Sequence, residues 1–190
     1  MGRPDPIVRV LLGPAPAVPA PPEMAAVFVE HFGYVWSSLR RLGARDADLE
    51  DLAHEVFLKV HANLHRFDTT RAMRPWLFGF AYRVAADHRR RASNRLEVMG
   101  VHAEAIDSGP GADERLEAAE RKALIQRALL EMDLDRRAVL VLHDVDELTM
   151  PEIAGALGIP LNTAYSRLRL AREQLARAAR ILTAREVRRG

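Results

Sequence analysis

The chain contains no cysteine, only two lysines and few aromatic residues, 6% of its 190 positions. Without cysteine there are no disulfide scaffolds, thiolate zinc sites, iron–sulfur clusters or thiol nucleophiles, and only His and carboxylates remain as conventional metal ligands. A reducing compartment suits that composition. Lys59 and Lys122 are the two lysines, so nearly all the positive charge is guanidinium, the group suited to bidentate contact with phosphates and base edges. Long apolar runs are missing too. The stretch from Ile7 to Leu12 is interrupted by Arg9 and stopped by Gly13-Pro14, too short for a membrane span and poor as a signal-peptide core, so a cytoplasmic protein is expected. No Gly-rich phosphate loop, nucleophile elbow or paired catalytic carboxylates occur, so the sequence points away from an enzyme and requires no cofactor.

Net charge is only +2, but it is segregated. Residues 1–96 carry 14 Lys/Arg against 10 Asp/Glu, residues 97–135 carry 4 against 10, and residues 136–190 carry 10 against 6. Two basic lobes therefore flank an acidic connector. Seven of the eleven prolines fall in the first 22 residues, which read as a disordered Pro/Ala-rich tail over 1–23; Met24 opens the first helical pattern and is an alternative start.

Apolar positions recur at helical spacing from Met24 to about Arg95: Val27, Phe28, Val35, Leu39 and Leu42 first, then Leu49, Leu52, Ala53, Val56, Val60 and Leu64. Phe67-Asp68-Thr69-Thr70 breaks the pattern and Pro75-Trp76-Leu77 restarts it, giving three or four helices in one domain over 24–96. Residues 97–113 lose periodicity and gain Gly100, Gly109, Pro110 and Gly111, the signature of a flexible acidic linker. Helical spacing resumes near Ala112, predicting a second domain over 114–182 and a short basic tail over 183–190. No segment alternates like a strand, so the expected fold class is all-α, in two small domains.

The second domain carries a helix-turn-helix. Thr149-Met150-Pro151-Glu152 spells a capping box with proline in the first turn. A helix with Ile153, Ala154 and Leu157 inward then stops at Gly158-Ile159-Pro160, and a second helix runs from about Asn162 to Arg180. On the second helix Leu161, Ala164, Leu168, Ala171 and Leu175 share one side, while Asn162, Ser166, Arg169, Glu173, Arg177 and Arg180 lie opposite. Short polar groups near its N-terminus and arginines along its shaft suit a major groove and its flanking phosphates.

In the first domain, Asp48, Asp51 and Glu55 make an acidic helix face that is no DNA contact and suggests a basic protein partner. Downstream, Phe67, Trp76, Phe78, Phe80 and Tyr82 lead to Arg89-Arg90-Arg91, a mixture of stacking surfaces and guanidinium that single-stranded DNA binding uses. Most of these aromatics, with Phe57 and Trp76 foremost, are expected in the core.

Four runs together carry a resemblance: Asp48-Leu49-Glu50-Asp51-Leu52-Ala53-His54-Glu55-Val56-Phe57-Leu58, Arg74-Pro75-Trp76-Leu77-Phe78, Asp87-His88-Arg89-Arg90, and Glu152-Ile153-Ala154 through Thr163-Ala164-Tyr165-Ser166-Arg167-Leu168. Over about residues 24–180 the chain resembles a bacterial sigma factor of the extracytoplasmic-function type. The resemblance implies an initiation factor that binds core RNA polymerase, directs it to promoters and has no catalytic chemistry. It implies that Asp48, Asp51, His54, Glu55 and Leu58 dock on the coiled coil of the beta-prime clamp, and that the second domain sits on the beta flap. Asn63, Phe67, Asp68, Phe80, Arg83, Asp87, Arg90 and Arg91 would handle the minus-ten element, with the loop from Phe67 to Met73 forming a pocket for a flipped base. Asn162, Thr163, Tyr165, Ser166, Arg167, Arg169 and Arg172 would read the minus-thirty-five element as duplex. The acidic linker would thread toward the RNA path, and an anti-sigma factor is a further expected type of partner.

Three positions depart from the usual pattern: His54 where Gln is common, Arg83 where Asn is common, and Asp133 in place of a frequent Pro, where it can serve as an N-cap. The residues leave other readings open. A helix-turn-helix regulator with an N-terminal sensing or dimerisation domain is one, and a degenerate sigma homologue that does not melt DNA is another. His54, His61 and His65 share a helix side, but no partner carboxylate completes a metal site and the zinc-protease spacing fails, so no metal is expected.

Overall fold

The computed structural model describes residues 22–99 and 128–187, and among these every regular element is helical. The linker expected over 97–113 lies, from residue 100 onward, outside the described residues. An N-terminal lobe holds α1 (Met24–Leu42), α2 (Leu49–Asn63) and α3 (Met73–Met99), with single 3-10 turns at Asp46–Asp48 and Leu64–Arg66. A C-terminal lobe holds α4 (Leu134–Asp144), α5 (Met150–Leu157) and α6 (Leu161–Val187).

In the first lobe all three helices touch one another, burying Val35, Leu39, Val56, Val60, Leu77, Phe78 and Val84 completely. Each such side chain contributes about 1.5–3 kcal/mol of transfer free energy. Phe57 is buried, whereas Trp76 is only partly so. α1 ends because Gly43 adopts φ +95°, from which its N–H reaches Arg40 O and the next N–H reaches Leu39 O. That left-handed conformation favours glycine, and the place of a Cβ is already taken by the guanidinium of Arg137.

Local signals position the second lobe. Asp133 caps α4 by accepting the Asp135 N–H at 3.0 Å. The Glu152 carboxylate reaches back to the N–H of Thr149 at 2.8 Å and to its hydroxyl at 2.6 Å, which fixes the start of α5. Gly158, at φ +67°, ends that helix, with the Ile159 N–H on Ala154 O at 3.0 Å. Ala164, Leu168 and Ala171 turn inward along α6. Leu161, expected beside them, is 41% exposed, because the first residue of α6 projects past the turn where no facing helix covers it.

One apolar core runs through both lobes, from Val27 to Ala171, with α4 between α6 and the helices α1 and α3. Arg137 lies at its centre, 2% exposed.

Candidate nucleic-acid and polymerase interfaces

The acidic face of α2 is less bare than its sequence. Asp48 is held by Arg45 at 2.7 Å and faces His88 at 3.7 Å, and Glu55 meets Lys59 at 3.0 Å and Arg91 at 3.6 Å. Asp51 and His54 are open to solvent, and Leu58 is 70% exposed. An exposed leucine thus sits among partly paired carboxylates on this face.

α3 and the loop before it build an aromatic ladder. The Phe67 and Trp76 rings lie 5.0 Å apart, Trp76 and Phe80 meet edge to face at 4.8 Å, and the Arg83 guanidinium sits 4.8 Å above Phe80. Burial pulls the Arg83 pKa below its usual value. Asp68 accepts the Thr70 N–H at 3.0 Å and its hydroxyl at 2.6 Å, bonds that hold its carboxyl below the ordinary range and fix the loop in an Asx turn. Asn63 bonds back to Lys59 O at 2.8 Å. Asp87 pairs with Arg90 at 3.1 Å, so Arg90 and Arg91 are each tied to a carboxylate of the lobe. Trp76, expected in the core, packs against it partly buried and forms the middle of this ladder. Its spacing of four from Phe80 was the available signal.

On α6, Asn162, Tyr165, Ser166 and Arg169 share one exposed face; Tyr165 is 54% exposed. The Ser166 hydroxyl donates to Thr163 O at 3.0 Å, and Arg169 to Glu173 at 2.7 Å. Arg172 bonds Asp144 at 2.5 Å and faces His143 at 3.1 Å; its hydrogen bond holds the Asp144 carboxyl below the usual range. Arg167 turns aside to an ion pair with Asp135, a residue that sequence reasoning missed as a partner, and its Nη1 is buried without a hydrogen bond. Among the described residues no three His, Asp or Glu side chains gather as a metal-ligand set, and no helix is long and apolar enough to cross a membrane.

A helix-turn-helix packed on a three-helix lobe with a stacking ladder defines the class, a two-lobed all-helical protein with a DNA-reading motif. Residues 27–95 match Sigma-70 region 2 and residues 122–175 match Sigma-70, region 4. SigL, an ECF RNA polymerase sigma factor of Mycobacterium tuberculosis, is 32% identical over 149 residues, covering 78% of this chain and 84% of SigL. SigW of Bacillus subtilis is 28% identical over 144 residues, covering 71% and 77% respectively. In fold, the chain is similar to the sigma factor RpoE from Bartonella quintana, solved with the anti-sigma factor NepR, at TM-score 0.67 and 18% identity over 83% of this chain and 96% of that one. CnrH, solved with the cytosolic domain of CnrY, gives 0.56 and 23%, over 85% and 88%. The chain belongs to the extracytoplasmic-function family of bacterial RNA polymerase sigma factors. It binds core RNA polymerase and directs promoter-specific initiation, region 2 reading the minus-ten element and region 4 the minus-thirty-five.

Proposed function

We propose that three surfaces divide this work. The exposed face of α2, comprising Asp48, Asp51, His54, Glu55 and Leu58, docks on the beta-prime coiled coil. The ladder of Phe67, Phe80 and Arg83, with Asn63 and Asp68 at its rim and Asp87, Arg90 and Arg91 along α3, takes the unpaired minus-ten strand. Asn162, Thr163, Tyr165, Ser166, Arg169 and Arg172 meet the minus-thirty-five duplex, with Arg167 beside them, while the second domain rests on the beta flap.

The observation that carries this assignment is the run of contacts from the partly exposed rings of Phe67 and Trp76 to Phe80, 8% exposed and covered by Arg83, which leaves the Phe67–Trp76 end open for a base to stack on. Extruding a base costs a few kcal/mol, and stacking returns about 1–3 kcal/mol per base. The proposed organisation is two domains, expected over 24–96 and 114–182 and carried on by α3 to Met99 and by α6 to Val187, with a linker between them and tails at either end. The protein works in the cytoplasm without catalysis of its own, and RpoE, solved with the anti-sigma factor NepR, supports a partner of that kind here.

Alanine substitution at Leu58, Phe67 and Arg169 separates the three roles. Expected losses are core binding, single-strand minus-ten binding by the holoenzyme, and duplex minus-thirty-five binding, one for each variant. Loss of the same activity in all three variants contradicts the division.

A further inference from the structure

A cavity of about 630 Å³ opens where three segments converge: the first turns of α1, the start of α3, and the turn between α4 and α5. That volume falls within the range of small-molecule sites, which favour junctions of this kind. Its charged residues, Glu30, His31, Arg74, Asp146 and Glu147, belong to none of the surfaces assigned above to polymerase or promoter.

The cavity gathers charges of both signs that do not neutralise one another. Arg74, in the first turn of α3, holds its guanidinium 5.4 Å from the centre of the Tyr34 ring, and the Tyr34 hydroxyl donates to Asp146 at 2.6 Å. Tyr34 thus touches a cation through its ring and a carboxylate through its hydroxyl. Glu147, next in the turn, adds a second negative group. Among the described residues Arg74, Asp146 and Glu147 form no ion pair, whereas Arg45, Arg90, Arg91, Arg169 and Arg172 each hold a carboxylate.

Two further features suit a bound polar group. α3 begins after Ala72, which has no side-chain oxygen to cap it, so the free N–H groups and positive dipole end of its first turn belong to the wall formed by Ala72, Met73 and Arg74. On the α1 wall, His31 is only 8% exposed, and its Nδ1 is buried without a hydrogen-bond partner. Its Nε2 faces the Glu30 carboxylate at 3.7 Å, which favours the proton on Nε2 and leaves Nδ1 an acceptor. The remaining wall is largely apolar, with Val27, Met73, Val145 and Leu148.

The carboxylates are held in place before any ligand arrives. The Asp146 N–H donates to Val141 O at 3.1 Å and the Leu148 N–H to Leu142 O at 3.0 Å, with Glu147 between them at φ +56°. A plain anion in this cavity meets two carboxylates, and a plain cation meets Arg74 and the helix N-terminus. A molecule carrying both charges on an apolar body satisfies every wall.

We propose that this cavity binds a small zwitterion with an aliphatic side chain, of the α-amino-acid class. Its carboxylate lies toward Arg74 and the start of α3, its ammonium toward Asp146 and Glu147 with His31 as a further acceptor, and its side chain against the apolar wall. α5, the first helix of the helix-turn-helix, begins at Met150, so the ligand grips the turn that leads into the DNA-reading motif. The proposal goes beyond the sigma function and does not depend on it, because binding is a property of the free chain.

Isothermal titration of the full free chain tests it with three probes: L-leucine, isoamylamine, which lacks the carboxylate, and 4-methylpentanoate, which lacks the ammonium. Saturable binding of L-leucine is expected, with each analogue weaker by roughly tenfold or more, the loss that follows when one charged hydrogen-bonded end is removed. Arg74→Gln and Asp146→Asn are each expected to weaken L-leucine by a similar factor, the asparagine still accepting from Tyr34. Glu50→Gln, an exposed carboxylate outside the cavity, is expected to leave binding unchanged.

Circular dichroism establishes that each variant keeps its helices, and the analogue series, run on the parent alone, stays decisive where a variant does not. No saturable binding of L-leucine overturns the site. An analogue that binds as tightly as L-leucine overturns the zwitterion class. Unchanged binding in both cavity variants, or an equal loss in Glu50→Gln, overturns the location. A failure of the sigma reading shows instead in transcription assays and leaves these titrations untouched.

Discussion

Arg137 in α4 donates to the carbonyl of Leu42 at the end of α1, 2.7 Å away and 95 residues earlier in the chain. Its other amino group donates to Leu130 O and Met132 O, both at 2.8 Å. A guanidinium with carbonyl partners on two sides thus occupies the centre of the molecule, and burial pushes its pKa down to about 10, which leaves it charged at neutral pH.

Arg137→Ala is therefore expected to destabilise the protein by about 3 kcal/mol or more, because three carbonyls lose their donor inside the core. Arg137→Lys is expected to rescue little, since one compact ammonium cannot fork to both sides. Urea denaturation of the three proteins checks this, and a lysine variant as stable as the parent contradicts it.

The phenol of Tyr82 is pushed up to about 12, first by burial and then by its hydrogen bond to Asp135. A phenol whose folded value exceeds its unfolded value near 10 stabilises the folded state fully below pH 10. That contribution is lost as pH rises toward 12. The difference between the 295 nm titrations of the parent and Tyr82→Phe is expected to centre near pH 12, and a difference centred at 10 contradicts the buried bond.

Glu55→Arg places a third cation beside Lys59 and Arg91 on the docking face. Core polymerase affinity is expected to fall by roughly tenfold or more, as reversed charge does at a complementary interface. Binding of the C-terminal lobe to duplex is expected to stay unchanged. Unaltered core affinity contradicts the docking assignment.

Phe67→Ala removes a partly exposed rung of the ladder and is expected to weaken minus-ten single-strand binding by about 1–3 kcal/mol. Arg169→Ala is expected to weaken duplex binding nearly uniformly over sequences and to reduce the salt slope by about one. Titrations of the two variants at several salt concentrations separate these effects; a steeper salt slope for Arg169→Ala argues against a phosphate role.

What the sequence disclosed was local. The capping residues Thr149, Glu152 and Asp133 and the stop at Gly158 are short-range signals, each legible because its partner lies within four residues. The apolar spacing of α1, α2 and α6 disclosed the inward faces for the same reason. The interlobe contacts were not legible. Tyr34 and Asp146 are 112 residues apart, and neither type of side chain announces a distant partner. Gly79 reads only as a weak point in a helix until Ala156 is seen against it. Arg167 looked like one more arginine of the recognition helix, and its turn toward Asp135 follows from where α4 packs. Trp76, read as core, is partly buried and packs against the core between Phe67 and Phe80.

The most direct test of the central claim is run-off transcription with purified core polymerase on a pooled promoter library, with and without this protein, followed by sequencing of the transcripts. The account predicts protein-dependent starts that share two spaced upstream elements and disappear with Phe67→Ala or Arg169→Ala. No new starts in the presence of measurable core binding contradicts it.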